Sequence, residues 1–249
     1  IEYGIEAVQR LNGFFAFAIY DSKIQTTYIV RDRFGVKPLV FFHNEEKLIF
    51  ASELKALMSV CAPLKIDFAS LQLYFRLTYL PPPYTIFEGV SKLVPGHYLK
   101  IENGICTDIC YYELKYEKSS LSIHDYPSTQ KKLFNLFTEV IDDHIVSDVP
   151  VGCFLSGGID SSIVTALASK HIDGIQTYSL GFKDSPYYDE TKYAEIVAKM
   201  HSTNHTSFML STKDLYDSVF DMLDYIDEPF ADSSALAMYV LSRETKKDV

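Results

Sequence analysis

Hydrophobic and polar positions divide this 249-residue chain into two kinds of pattern. Through residue 60 the apolar runs are short and polar turns separate them. Phe14 to Tyr20 is strongly apolar, Asp21-Ser22-Lys23 interrupts it, and Thr26 to Arg31 follows. Asp32-Arg33-Phe34-Gly35 makes a further turn before Pro38 to His43 and Leu48 to Ala51. Short runs at this spacing predict antiparallel strands. Residues 1–10 read as the end of an amphipathic helix. Ser52 to Ser59 predicts a short helix capped by Ser52, with Leu54, Leu57 and Met58 turned inward. Pro81-Pro82-Pro83 is stiff and extended, and Pro95-Gly96 is a turn. Residues 113–128 are polar without a clear period and read as a linker.

From residue 129 the period changes. Leu133, Leu136, Phe137, Val140, Ile141 and Ile145 form one helical stripe over 129–146. Val149 to Leu155 has the length of a buried strand, and Ile163, Val164, Leu167 and Ala168 recur behind it at helical spacing. Two more strands, Gln176–Phe182 and His205–Leu210, alternate with helices over 190–200, 211–225 and 233–247. Alternation of this kind predicts a doubly wound parallel sheet. The fold class is therefore α+β followed by α/β. The expected domains are 1–115 and 129–249, joined by a linker at 116–128.

Composition narrows the function. An apolar fraction of 47% and a charged fraction of 22% are those of a soluble globular protein. A net charge of −10 argues against a nucleic-acid surface. No apolar run reaches about 18 residues, so no membrane span is expected. Residues 1–10 lack the basic region and apolar core of a signal peptide. Cys61, Cys106, Cys110 and Cys153 have no partners at zinc spacing and read as reduced thiols, which fits a cytoplasmic setting. His144, His201 and His205 read as structural imidazoles. The chain has no initiator Met and stops where a helix would hand over to a strand, so a fragment cut from both sides is expected.

The chemistry concentrates in Ser156-Gly157-Gly158-Ile159-Asp160-Ser161. A strand, a glycine turn and a helix start aim backbone amides and the positive helix end at one point, an arrangement that binds phosphates. Gly157 is expected to be a point of close phosphate approach, replaceable without unfolding. The Lys-Ser/Thr ending of a Walker-type loop is missing. Farther on, Asp227, Glu228 and Asp232 crowd into six residues before a helix. Capping with Ser233 accounts for Asp232, and Asp227 and Glu228 are candidates for the active cleft. Arg31 and Asp32 read as an internal ion pair or turn cap rather than catalytic groups.

The loop SGGIDS resembles the pyrophosphate loop of the ATP pyrophosphatase families. The phrases LNGFFAFAIYD, RDRFGVKPL and FASELKALMS stand in the order found in class II glutamine amidotransferases. With GVSKLVPGHYLKIENG, VPVGCFLSGGIDSS and DEPFADSSA, the resemblance to glutamine-hydrolysing asparagine synthetases spans nearly the whole chain. It implies an N-terminal-nucleophile glutaminase part and an ATP pyrophosphatase part. By resemblance Ser156, Gly157, Gly158 and Ser161 hold the pyrophosphate of ATP. Asp160 reaches it through Mg²⁺, and Leu155 and Leu180 contact the adenine and ribose. Aspartate, ATP and glutamine or ammonia are the implied substrates, and a homodimer is one expected assembly. The family's glutaminase nucleophile is an N-terminal cysteine, whereas position 1 is Ile and the first cysteine is Cys61. No glutaminase catalytic residue is assigned, and this chain alone is expected to be inactive as a glutaminase. Two other readings compete: a paralogue acting on another carboxylate, such as a sugar or peptide acid, and a non-catalytic module.

Overall fold

The computed structural model describes residues 2–61, 63–116 and 125–249. Two compact units divide the chain: Ile1–Glu117 with Ile226–Asp232, and Lys118–Tyr225 with Ser233–Val249. The short segment 226–232, which the sequence reading placed in the second domain, thus belongs to the first unit.

The first unit opens with a 3-10 helix, Gly4–Arg10. Strands β1 (Ala16–Asp21), β2 (Thr26–Arg31), β3 (Val40–His43) and β4 (Leu48–Ala51) follow, then helices α1 (Leu54–Cys61) and α2 (Phe68–Leu77). Strands β5 (Val90–Lys92), β6 (His97–Glu102) and β7 (Ile105–Cys110) close it. Two antiparallel sheets result, in the orders β1-β2-β6-β7 and β4-β3-β5. Ile29 and Leu99 of the larger sheet meet Leu39 and Leu93 in a buried cluster, against which Phe41 and Leu48 of the smaller sheet pack. A second cluster, Val40, Leu54, Leu57 and Val90, seats α1 on the smaller sheet. Each fully buried leucine contributes about 2 kcal/mol of apolar burial.

Three expectations change in this unit. Met58 is exposed rather than inward. Ser52 does not cap α1; the amides of Leu54 and Lys55 donate to the Asp227 carboxylate, the second at 3.0 Å. Helix α2 was not foreseen. Asp67 starts it, accepting from the Ala69 amide (3.0 Å) and the Ser70 hydroxyl (2.7 Å), and Thr78 ends it with φ +68°.

In the second unit α3 (Tyr126–His144) begins inside the expected linker, whose residues 117–124 lie outside the described residues. The order continues β8 (Gly152–Phe154), α4 (Ile159–Ala168), β9 (Gln176–Phe182), α5 (Thr191–Met200), β10 (Asn204–Leu210), α6 (Thr212–Asp217), α7 (Val219–Tyr225) and α8 (Ser234–Thr245). The sheet is parallel, in the order β10-β9-β8, with Phe154 opposite Tyr178 and Ser207 opposite Ser179. Ile141 of α3, Leu167 and Ala168 of α4, and Ile175 form one core cluster. Of the expected stripe over 129–146, Ile145 packs against this cluster as well, whereas Leu133, Leu136, Phe137 and Val140 are 38–55% exposed. The expected helix 211–225 is broken at Ser218. Its buried hydroxyl donates to the Asp214 carbonyl (2.8 Å), a back-bond that bends helices. Among the described residues no helix is long and apolar enough to cross a membrane.

Candidate active site

The site grows out of the end of β8. Leu155 carries the ladder one residue further, its amide donating to the Tyr178 carbonyl at 2.8 Å. Its side chain is 1% exposed and packs with Ala194 and Ala198. Leu155 therefore anchors the loop.

Gly157 then turns the chain with φ +80°. A Cβ there would lie 2.5 Å from Tyr193 Cβ, and 2.6 and 2.7 Å from the backbone of Tyr193 and Ala194 in α5. No flexible side chain can yield to it. The fold itself demands Gly157, both for its left-handed backbone and for the close approach of α5. This corrects the expectation of a freely replaceable glycine. The position that stays open is Gly158, where an added Cβ would meet only Ser156 Oγ, at 3.3 Å.

Two hydroxyls lace the loop. Ser156 Oγ accepts from the Gly158 amide (3.3 Å) and lies 3.1 Å from Ser161 Oγ. Ser161 Oγ accepts from the Ser156 amide (3.3 Å) and donates to the Gly158 carbonyl (3.2 Å). These bonds sit at the long end of the normal range, so a charged oxygen could replace them at little cost. Helix α4 follows with Gly158 as N-cap and no side-chain cap. Its first intrahelical bond runs from the Ser162 amide to the Gly158 carbonyl (3.0 Å). The amides of Ile159, Asp160 and Ser161 precede that ladder and, with the helix dipole, face the loop end. Asp160 lies exposed in this first turn. Continuing the β8–β9 register by two residues sets half-buried Leu180 level with Ser156.

The structure thus gathers Leu155, Ser156, Gly157, Gly158, Asp160 and Ser161 at the carboxyl end of β8, where open parallel sheets bind ligands. A phosphate group fits this donor set. Among the described residues no three His, Cys, Asp or Glu side chains cluster to cage a cation. Magnesium is usually held by one or two carboxylates together with substrate phosphates, and Asp160 is the carboxylate that this turn would offer.

Other candidates make contacts of their own. Asp227 and Glu228 belong to the first unit. Asp227 caps α1, and Glu228 pairs with Lys92, whose ammonium also donates to the Leu80 carbonyl (2.6 Å). Burial pushes the Glu228 carboxyl up, against the pull of Lys92. Nothing in the local sequence signals either role, because both partners stand more than a hundred residues away.

Asp32 is 1% exposed and accepts from the amides of Phe34, Val36 and Lys37 at 2.9–3.1 Å. Burial raises its carboxyl and these amides lower it more, leaving it below the usual range. Arg31 donates to the carbonyls of Lys37, Gly35 and Leu93. Both are parts of a turn. Tyr111 hydrogen-bonds the Arg31 carbonyl at 2.7 Å, and burial pushes its hydroxyl up to about 12. In the second unit His205 sits among Thr177, Ser179 and Ser207 hydroxyls at 2.9–3.1 Å, and burial lowers its pKa.

Two family models match the chain in succession. The glutamine amidotransferase domain covers residues 1–112, and asparagine synthase covers residues 132–249. The chain thus joins an amidotransferase-type unit to a synthase-type unit. Over 99% of its length it is 34% identical to a putative glutamine-hydrolyzing asparagine synthetase 2 of Methanocaldococcus jannaschii, covering 48% of that protein. It is 31% identical, over 99% of its length, to the glutamine-hydrolyzing asparagine synthetase 1 of Bacillus subtilis, of which it covers 39%. A more distant similarity, 26% over 96% of the chain, is to amidase chry2 of Gibberella zeae, of which it covers 38%. The chain belongs to the glutamine-hydrolysing asparagine synthetase family, and it spans less than half the length of these relatives.

Proposed function

We propose that this chain is part of an enzyme that forms asparagine from aspartate, ATP and an ammonia group drawn from glutamine. The loop at Ser156–Ser161 carries the reading: a hydroxyl-laced glycine turn that opens helix amides toward solvent at the end of a parallel strand. In the reaction an oxygen of the aspartate β-carboxylate attacks the α-phosphorus of ATP. The bond from that phosphorus to pyrophosphate breaks, leaving aspartyl-AMP. Ammonia then attacks the acyl carbon, AMP departs, and the surplus proton passes to solvent. Magnesium supplies charge neutralisation of the departing pyrophosphate.

Within that scheme the residues divide the work. The hydroxyls of Ser156 and Ser161 and the amides from Gly158 to Ser161 bind the pyrophosphate oxygens. The backbone beside Leu155 and Leu180 borders the nucleoside, and Asp160 is the carboxylate that would hold a magnesium ion. Such contacts accelerate the reaction because they strengthen as negative charge gathers on the leaving group. A second reading has one observation in its favour: the similarity to amidase chry2 extends across the loop. In that reading the same steps would activate another carboxylate, such as a sugar or peptide acid.

Product analysis of the full-length protein separates the readings. Aspartate, ammonia and magnesium-ATP should yield AMP, pyrophosphate and asparagine. ADP and phosphate as products would overturn the mechanism. AMP formed only with a different acid would keep the mechanism and change the acceptor.

A further inference from the structure

The loop assigned to the pyrophosphate brings no cation of its own. From Val149 to Ser169 the sequence contains neither Lys nor Arg. Lys170 follows at the far end of α4, about 15 Å along the helix, where its ammonium lies 5.0 Å from the Phe134 ring. One magnesium ion leaves a departing pyrophosphate with net negative charge, so a second positive group has work to do there.

The fold places one beside the loop. The backbone of Tyr193 and Ala194 approaches Gly157 so closely that no Cβ fits between them. Tyr193 stands half-exposed at this contact, and the Lys192 ammonium rests 4.9 Å from the centre of its ring. Tyr193 therefore touches the loop at its base and carries a cation on its face. One nearby charge does act on it: after the Thr191 bonds, Lys192 helps hold the Asp189 carboxyl below its usual range. Asp189 is engaged by the Thr191 amide (3.0 Å) and hydroxyl (2.7 Å). Glu195 lies 3.8 Å from Lys199, one turn farther along α5.

We propose that Lys192 is a substrate-contacting residue whose ammonium moves from the Tyr193 ring to the pyrophosphate oxygens of bound ATP. An exposed cation–π contact is weaker than a charge-assisted bond between ammonium and phosphate, so the ring acts as a rest position. The inference rests on the reading of the loop given above, and it supplies the charge that a Walker lysine supplies elsewhere.

Calorimetric titration of the full-length protein with inorganic pyrophosphate and magnesium tests it. Lys192→Ala should weaken binding about tenfold and flatten its salt dependence, as loss of one charge-assisted bond predicts. Lys192→Arg should recover binding to within about twofold, and Lys199→Ala should match wild type. In turnover, Lys192→Ala should lower kcat more than it raises the KM for ATP. Wild-type binding by Lys192→Ala, with binding abolished by Gly158→Val, would overturn the role of the lysine and leave the loop reading intact. Loss of binding that arginine fails to restore, together with a lowered Tm, would make Lys192 structural and also overturn the proposal. No pyrophosphate binding by the wild type would remove both readings together.

Discussion

Two turns of this molecule set an aspartate near a left-handed glycine just beyond a β-strand, and the fold treats them in opposite ways. After β2, Asp32 is buried and its carboxylate collects three loop amides, while Gly35 (φ +64°) crowds against Pro95 and Arg31. After β8, Asp160 is exposed, and among the described residues no hydrogen bond to its carboxylate is formed. The loop there is held by serine hydroxyls, and the helix-start amides stay open. In the first turn the polar groups are consumed by the fold. In the second they remain available to a ligand. Hydrogen-bond accounting, rather than residue type, separates the aspartate consumed by the fold from the one proposed to meet a ligand.

The sharpest break of this comparison is Asp32→Ala. Three amides would lose their acceptor inside the first unit, at a cost of about 4 kcal/mol. Urea unfolding measures this, and a loss under about 1 kcal/mol would show that the turn closes without its carboxylate. The pH dependence has a definite sign. Because the folded carboxyl sits below its usual value, its contribution is complete above the unfolded pKa, about 3.9, and fades as pH falls through the lower folded value. The gap between wild type and variant should be widest above pH ~4 and close in stronger acid.

Gly157→Ala comes next. Left-handed strain and the clash with α5 should together cost about 3 kcal/mol in the second unit. Thermal unfolding would show it, and an unchanged Tm would mean that α5 gives way. Asp160→Asn should leave stability within about 0.5 kcal/mol of wild type. The same change should slow adenylation on the order of a hundredfold, or about 2.7 kcal/mol, while ATP binding changes little. Single-turnover kinetics separate the two quantities. A variant that loses binding and rate equally would demote Asp160 to a ground-state contact.

Local periodicity made β1 to β4, the parallel β9 and β10, and the unit from β8 to α4 readable in advance. Interactions that span the chain were not. Residues 68–77 form α2 although Phe68 and Phe75 stay more than 70% exposed, so no clean apolar stripe announced the helix. Asp67, with Ala69 and Ser70 as its donors, was the usable signal. The α3 stripe was read correctly as a helix, but periodicity shows which side is apolar and not whether anything covers it. At the candidate site the order of residues in the loop was legible. The role of Gly157 was not, because its constraint comes from Tyr193 on another helix.

The capping of α1 by Asp227 has a consequence for how the protein is made. Asp227 follows Leu54 by 173 residues. At ribosomal speeds of about 5–20 residues per second, some 10–35 seconds separate the appearance of the helix from that of its cap. Throughout that interval the first turn of α1 must satisfy its amides with water, and Lys92 waits for Glu228. The first unit is therefore completed only after residues 118–225 of the second have been made. A nascent chain halted before residue 226 would carry it with one helix end still unsealed.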